Sequence, residues 1–132
     1  MRASTSLVVT LGIMLGANGT AQAGRIVTPS VSRSNAADSR LVCSVVNGKA
    51  QPVGPFTIAV VRQTGVVADE ADVAALQPGA ATLVVADDTE LAGATLGYCV
   101  VEGKQVSAKK TPVTLCVTSA ATDDCMGAVT GR

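Results

Sequence analysis

Three of the four cysteines in this chain stand inside short runs whose apolar residues recur at every second position, the period of a β-strand with one buried face. In "RLVCSVVN" (residues 40–47) Leu41, Cys43 and Val45 alternate with Val42, Ser44 and Val46, and the single hydroxyl of Ser44 marks the second set as the less buried face. Cys43 therefore points inward. In "PFTIAVVRQ" (55–63) Phe56, Ile58 and Val60 alternate with Thr57, Ala59 and Val61, and Thr57 again separates the faces. The runs "ATLVVAD" (81–87), "TLGYCVVEG" (95–103) and "TPVTLCVTS" (111–119) follow at short intervals, divided by Asn, Gly, Pro and Asp clusters. "RIVTPSVS" (25–32) reads as an edge strand, because Pro29 cannot donate to a ladder. The pattern predicts an all-β protein, an antiparallel β-sandwich of about seven strands. Its expected core is Leu41, Val45, Phe56, Ile58, Val60, Leu83, Val85 and Leu115.

One segment competes with this pattern. "ADEADVAALQPG" (68–79) has an Ala-rich, acidic start suited to a helix N-terminus and ends on Pro78 and Gly79. Its only well-spaced apolar residues are Val73 and Leu76, too narrow a stripe for a packed helix. The expectation is a loop and short strand, with Leu76 tucked under the sandwich before a type II turn at Gln77–Ala80.

The N-terminus specifies an address. Arg2 precedes "LVVTLGIMLGA" (7–17), and Ala21 and Ala23 satisfy the small-x-small rule for cleavage, so residues 1–23 read as a secretory signal peptide. The apolar run is about half the length of a spanning helix, so no membrane span is expected after cleavage, and the protein is expected to be periplasmic or secreted. Residues 24–132 then form one domain. All ten acidic residues fall in that part, whereas the leader takes Arg2 from the ten basic ones, leaving the mature chain with acids in excess by one. Near-neutral charge, one Tyr, one Phe and no Trp leave neither an electrostatic field nor a stacking platform for nucleic acid. With so few aromatics the core must be built from Val, Leu, Ile and Ala, and such a core is thin. Four cysteines in an exported chain of this size are most simply two disulfides.

"VVNGKAQPVGPFTIAVV" (45–61) followed by "LQPGAATLVV" (76–85) resembles bacterial immunoglobulin-like modules of the CARDB-like kind. The order of cysteines, from "LVCSVVN" through "GYCVVEG" and "VTLCVTS" to "DDC", is similar to that of small exported bacterial proteins of unknown function. The resemblance implies a sandwich and an exported address, with no activity to carry over. In immunoglobulin domains a disulfide between the second and penultimate strands joins the sheets and packs against an aromatic of the third strand. By that resemblance Cys43 pairs with Cys99 and Phe56 takes the place of the aromatic. Tyr98 directly precedes Cys99 and so faces away from it. Leu115 and Val117 flank Cys116 and turn it outward, where the tail "SAATDDC" (119–125) brings Cys125 back to it. The rival connectivity joins Cys99 to Cys116 on consecutive strands and leaves Cys43 to Cys125.

Chemistry-bearing residues are sparse. The chain has no histidine, which removes the usual general base, the triad partner of Ser or Cys and the commonest zinc ligand. The carboxylates Asp69, Glu70 and Asp72, then Asp87, Asp88 and Glu90, then Asp123 and Asp124 are expected to solvate loops, and "ADDTELAG" lacks the ligand spacing and central Gly of a calcium loop. No C-x-x-C pair suggests redox chemistry or zinc, so no cofactor or metal is expected. Lys104, Lys109 and Lys110 read as edge protection around a hairpin. The functional expectation is a noncatalytic exported structural or binding module with a protein or cell-envelope partner. The alternative is a secreted inhibitor or effector that inserts a loop, "RQTGVVADEADVAALQPG" (62–79), into a protein partner.

Overall fold

A computed structural model describes residues 24–33, 39–119 and 125–132. The leader expected at 1–23 and the acidic pair Asp123 and Asp124 lie outside the described residues. The elements are β1 (Arg25–Val27), β2 (Val31–Ser32), β3 (Ser39–Val46), β4 (Phe56–Arg62), β5 (Val67–Val73), β6 (Ala81–Ala86), a one-turn helix α1 (Asp88–Leu91), β7 (Leu96–Glu102), β8 (Val113–Ser119) and β9 (Cys125–Thr130). β1, β7, β4 and β5 lie side by side in one antiparallel sheet, with β2 also pairing β7, and β6, β3, β8 and β9 form the second.

Cys43 on β3 and Cys99 on β7 are joined, so this disulfide ties one sheet to the other, with its Cα atoms 5.8 Å apart. Both residues are fully buried. Cys116 on β8 pairs with Cys125 on β9 within one sheet, on its outer face. Cys99 is thus bonded to Cys43 and Cys116 to Cys125, so the rival bridge between Cys99 and Cys116 is not formed. The outermost strands depart from the immunoglobulin order, in which the first strand joins the sheet of the second and the last joins that of the penultimate. Here β1 and β2 lie beside β7, and β8 lies beside β3.

Leu41, Val45, Phe56, Ile58, Val60 and Leu115 fill the space between the sheets, joined by Ile26, Val101 and Val113. Leu83 and Val85 do not: Leu83 is 56% exposed and Val85 half-buried, while Val84 and Ala86 take the core positions. The cause is register. Leu41 lies opposite Ala86 and Cys43 opposite Val84, and directly opposed residues share a face, so the inward set of β3 dictates the inward set of β6. Ile58 is completely buried. Ile58→Ala should therefore lower the unfolding free energy by about 3 kcal/mol in denaturant titrations, from lost transfer energy and the cavity left behind. A loss under about 1 kcal/mol would place this face of β4 on the surface.

Phe56 is buried, but not against the sulfurs. Val60 is the β4 residue opposite Cys99, and Phe56 stands four positions along the strand, roughly 13 Å away. It packs instead where the chain leaves β7, and a Cβ on Gly103 would come within 2.5 Å of the Phe56 Cβ.

Segment 68–79 is not a helix but a strand followed by a loop, as expected: β5 takes Val67–Val73 and pairs along β4 with a bulge between Val60 and Val61. As an edge strand with almost no buried face it shows no apolar alternation. Beyond it, Leu76 is buried and exchanges backbone bonds with Val53 at 3.0 and 2.7 Å. The Ala80 amide then donates to the Gln77 carbonyl at 3.0 Å, with Gly79 at φ 76°, which is the expected type II turn. With β9 the described residues hold nine strands, two more than the alternation suggested.

Candidate functional site

The outer face of the five-stranded sheet carries a shallow trough of about 220 Å³. Thr57, Ala59 and Val61 of β4 and Tyr98 and Val100 of β7 form its floor, with Glu70 of β5 on one side. The register explains the grouping: Val61 lies opposite Tyr98 and Ala59 opposite both Val100 and Glu70, so all five point the same way. Ala59 and Val61 belong to the set expected to be less buried, yet they are only 7% and 6% exposed. β4 is flanked on both sides, and the neighbouring side chains close over it. Arg25 Nε and Glu102 Oε2 form an ion pair at 3.1 Å on the rim, both half-exposed and so of little energetic weight. This surface combines one aromatic ring, small apolar side chains and charges of both signs.

Among the described residues, the carboxylates expected in loops sit on a strand or at the one-turn helix α1. Asp69, Glu70 and Asp72 are on β5, where Asp72 accepts a bond from the Thr57 hydroxyl at 3.0 Å. Asp87 caps α1, accepting from the Glu90 amide at 3.0 Å while the Asp87 amide donates to Glu90 at 3.1 Å, a capping box. Asp88 pairs with Arg33 at 3.2 Å. Among the described residues no three His, Cys, Asp or Glu side chains are grouped to hold a metal ion.

The bond from the Asp87 amide pulls the Glu90 pKa down, but desolvation and the nearby Asp69 and Asp87 carboxylates outweigh it and leave the value raised. The folded state thus holds the Glu90 proton more tightly than the unfolded chain does. The associated stability is present below the ordinary glutamate value and is lost as pH rises through the raised one. Glu90→Gln keeps the capping contact without the charge. It should make the protein more stable than the wild type at neutral pH and indistinguishable from it under acid conditions, as read by thermal melts across that range. Equal stability at both would mean that the charge on Glu90 has no influence.

Lys104, Lys109 and Lys110 are exposed, but they do not flank a hairpin, because residues 103–112 carry the chain from one sheet to the other. Lys49 joins this end of the sandwich, its Nζ donating to the Gln105 carbonyl at 2.9 Å. Stretch 62–79 runs from a turn at Gln63–Val66, with Val66 47% exposed, through the hairpin arm β5 to the exposed turn at Gln77–Ala80.

Two residues that organise these surfaces were not singled out by pattern. Asn47 has no exposed surface; its Nδ2 donates to the carbonyls of Gln51 and Leu76, both at 2.8 Å, and its Oδ1 accepts from the Lys49 amide at 2.8 Å. Its backbone bonds Ala80 and Gly79 at 2.9 and 2.8 Å, so this one residue pins the loop after β3 to the turn before β6. The Asn-Gly dipeptide marked a turn; the distant acceptors were not visible in it. Arg33, 2% exposed, sends Nη1 to the Ser39 carbonyl at 3.0 Å, Nε to the Ala94 carbonyl at 2.9 Å and Nη2 to Asp88. It ties β3, α1 and the start of β7 together. A lone Arg among Ser residues carried no signal of this role.

No family model matches the chain, and no curated protein or solved structure is significantly similar to it. Its reading therefore rests on its own residues. Two disulfides indicate an oxidising compartment, and among the described residues no helix is long and apolar enough to cross a membrane.

Proposed function

We propose that this protein is a noncatalytic module of the CARDB-like, immunoglobulin-like kind, exported to the periplasm or beyond by the leader at 1–23, where it binds a protein partner of the cell envelope through the trough around Tyr98. The observation that carries this reading is the contrast between that surface and the rest of the polar inventory. Asn47 and Arg33 are committed to holding loops, Asp87 and Glu90 to capping α1 and the cysteines to two bridges. The Tyr98 face remains as an aromatic-centred surface on a sheet held from behind by the Cys43–Cys99 bridge, so little side-chain or loop ordering is needed to bind. Cleavage after Ala23 is compatible with this fold, since Gly24 is tied to the body by bonds with Val106 and Gly103 at 3.2 and 2.8 Å.

A photocrosslinking residue in place of Tyr98, expressed with the leader, tests the proposal. One heterologous adduct in the periplasmic or envelope fraction, competed by excess mature protein and lost with Val100→Glu, supports it. Retention of the protein in the cytoplasm, or adducts insensitive to Val100→Glu, would overturn it.

A further inference from the structure

The edge of a β-sheet is a row of backbone donors and acceptors without partners, and exposed edges are blunted by charge, brevity, proline or bulges. Three of the four edges here carry such devices. β5 displays Asp69, Glu70 and Asp72; β1 and β2 are three and two residues long and separated by Pro29; β9 pairs through a bulge and is pinned by its disulfide. β6 has none of them. It is six residues, "ATLVVA", with no charge, proline or glycine, and its register with β3 is unbroken. Among the described residues, no hydrogen bond from outside β3 reaches Ala81–Ala86. The same strand presents Leu83, 56% exposed, beside half-buried Val85 on its outer face.

We propose that β6 pairs antiparallel with β6 of a second copy of this chain, about a two-fold axis perpendicular to the sheet, so that two four-stranded sheets become one of eight strands. Opposed residues must share a face, and the register that sets inward Val84 against the second copy's Val84 also sets outward Leu83 against the second copy's Val85. Two Leu83–Val85 contacts then cover the exposed leucines while the edge amides and carbonyls find partners. The acidic α1 segments fall at opposite ends, their Asp87 residues roughly 20 Å apart along the strand direction and beyond the screening length at physiological salt. The strand is uncharged and complementary to itself, which favours a second copy over an acidic or basic partner. β5 cannot pair in this way without setting its carboxylates against each other. This inference is independent of the Tyr98 surface, which lies on the other sheet.

Sedimentation of the mature, disulfide-intact protein from low micromolar to near-millimolar concentration tests it, with amide hydrogen exchange as a second readout. A monomer–dimer equilibrium is expected, in which the Ala81–Ala86 amides exchange more slowly as concentration rises. Leu83→Lys, at an exposed position, should weaken the dimer by roughly tenfold or more, whereas Thr130→Lys on the β9 edge should not. A monomer throughout, exchange at Ala81–Ala86 independent of concentration, or a dimer weakened equally by both variants would overturn the proposal. The exchange measurement on the unmodified protein decides the matter even if Leu83→Lys fails to fold. Capture of β6 by a different protein while the purified chain stays monomeric would also count against it.

Discussion

Loss of the bridge between the sheets, by Cys43→Ala together with Cys99→Ala, is expected to lower the unfolding free energy by about 4 kcal/mol, against about 2.5 kcal/mol for Cys116→Ala with Cys125→Ala. The difference comes first from chain entropy: the two bridges span 56 and 9 positions, and the longer closed loop restricts the unfolded chain more. Packing adds to it. Cys43 and Cys99 are fully enclosed, so their sulfurs leave a cavity, whereas Cys125 is exposed and Cys116 half-buried, and water can fill what they vacate. Urea unfolding of both double variants at neutral pH gives the comparison, and a larger loss from the outer pair would contradict the role assigned to the inner one.

Asn47→Asp is expected to cost about 4 kcal/mol at neutral pH although it changes a single nitrogen to oxygen. The Nδ2 position faces the carbonyls of Gln51 and Leu76, both at 2.8 Å, in a site with no exposed surface. An oxygen there sets acceptor against acceptor and buries a negative charge. The folded state would hold the carboxyl proton more tightly than the unfolded chain, so the deficit should shrink as pH falls below neutrality and one donor is restored. A pH-independent deficit would mean that shape rather than hydrogen bonding makes Asn47 necessary.

How far the fold could be read depended on whether a strand's partners left a mark within the strand itself. β3 and β4 were legible because Ser44 and Thr57 interrupt only one face. β6 was not, because "ATLVVA" is apolar at nearly every position and its facing is imposed by Cys43 and Leu41 across the ladder. β5 was hidden for the opposite reason: an exposed edge strand needs no apolar face, so its carboxylates looked like those of a loop. Phe56 shows the limit of the resemblance, which implied a place beside the bridge, whereas the register of β4 against β7 puts Val60 there. The disulfides were readable because inward and outward facing at Cys43 and Cys116 is a local property. The Tyr98 trough was not, because it is assembled from four strands whose order the sequence does not state.

The bonding around Asn47 also has a covalent side. In a flexible chain an asparagine followed by glycine is the pair most open to deamidation, because the glycine nitrogen can attack the side-chain amide carbon and expel ammonia, closing a cyclic imide that water reopens to aspartate or its isomer. Here the Gly48 nitrogen is engaged with the Lys110 carbonyl at 2.8 Å, and the Asn47 amide is held by its two acceptors. The ring cannot close without breaking these contacts, so the reaction belongs to the unfolded chain. Each excursion out of the native state exposes Asn47 to a change that the native site then resists accommodating. A chain deamidated while unfolded would return to a native state weakened in the same way as Asn47→Asp.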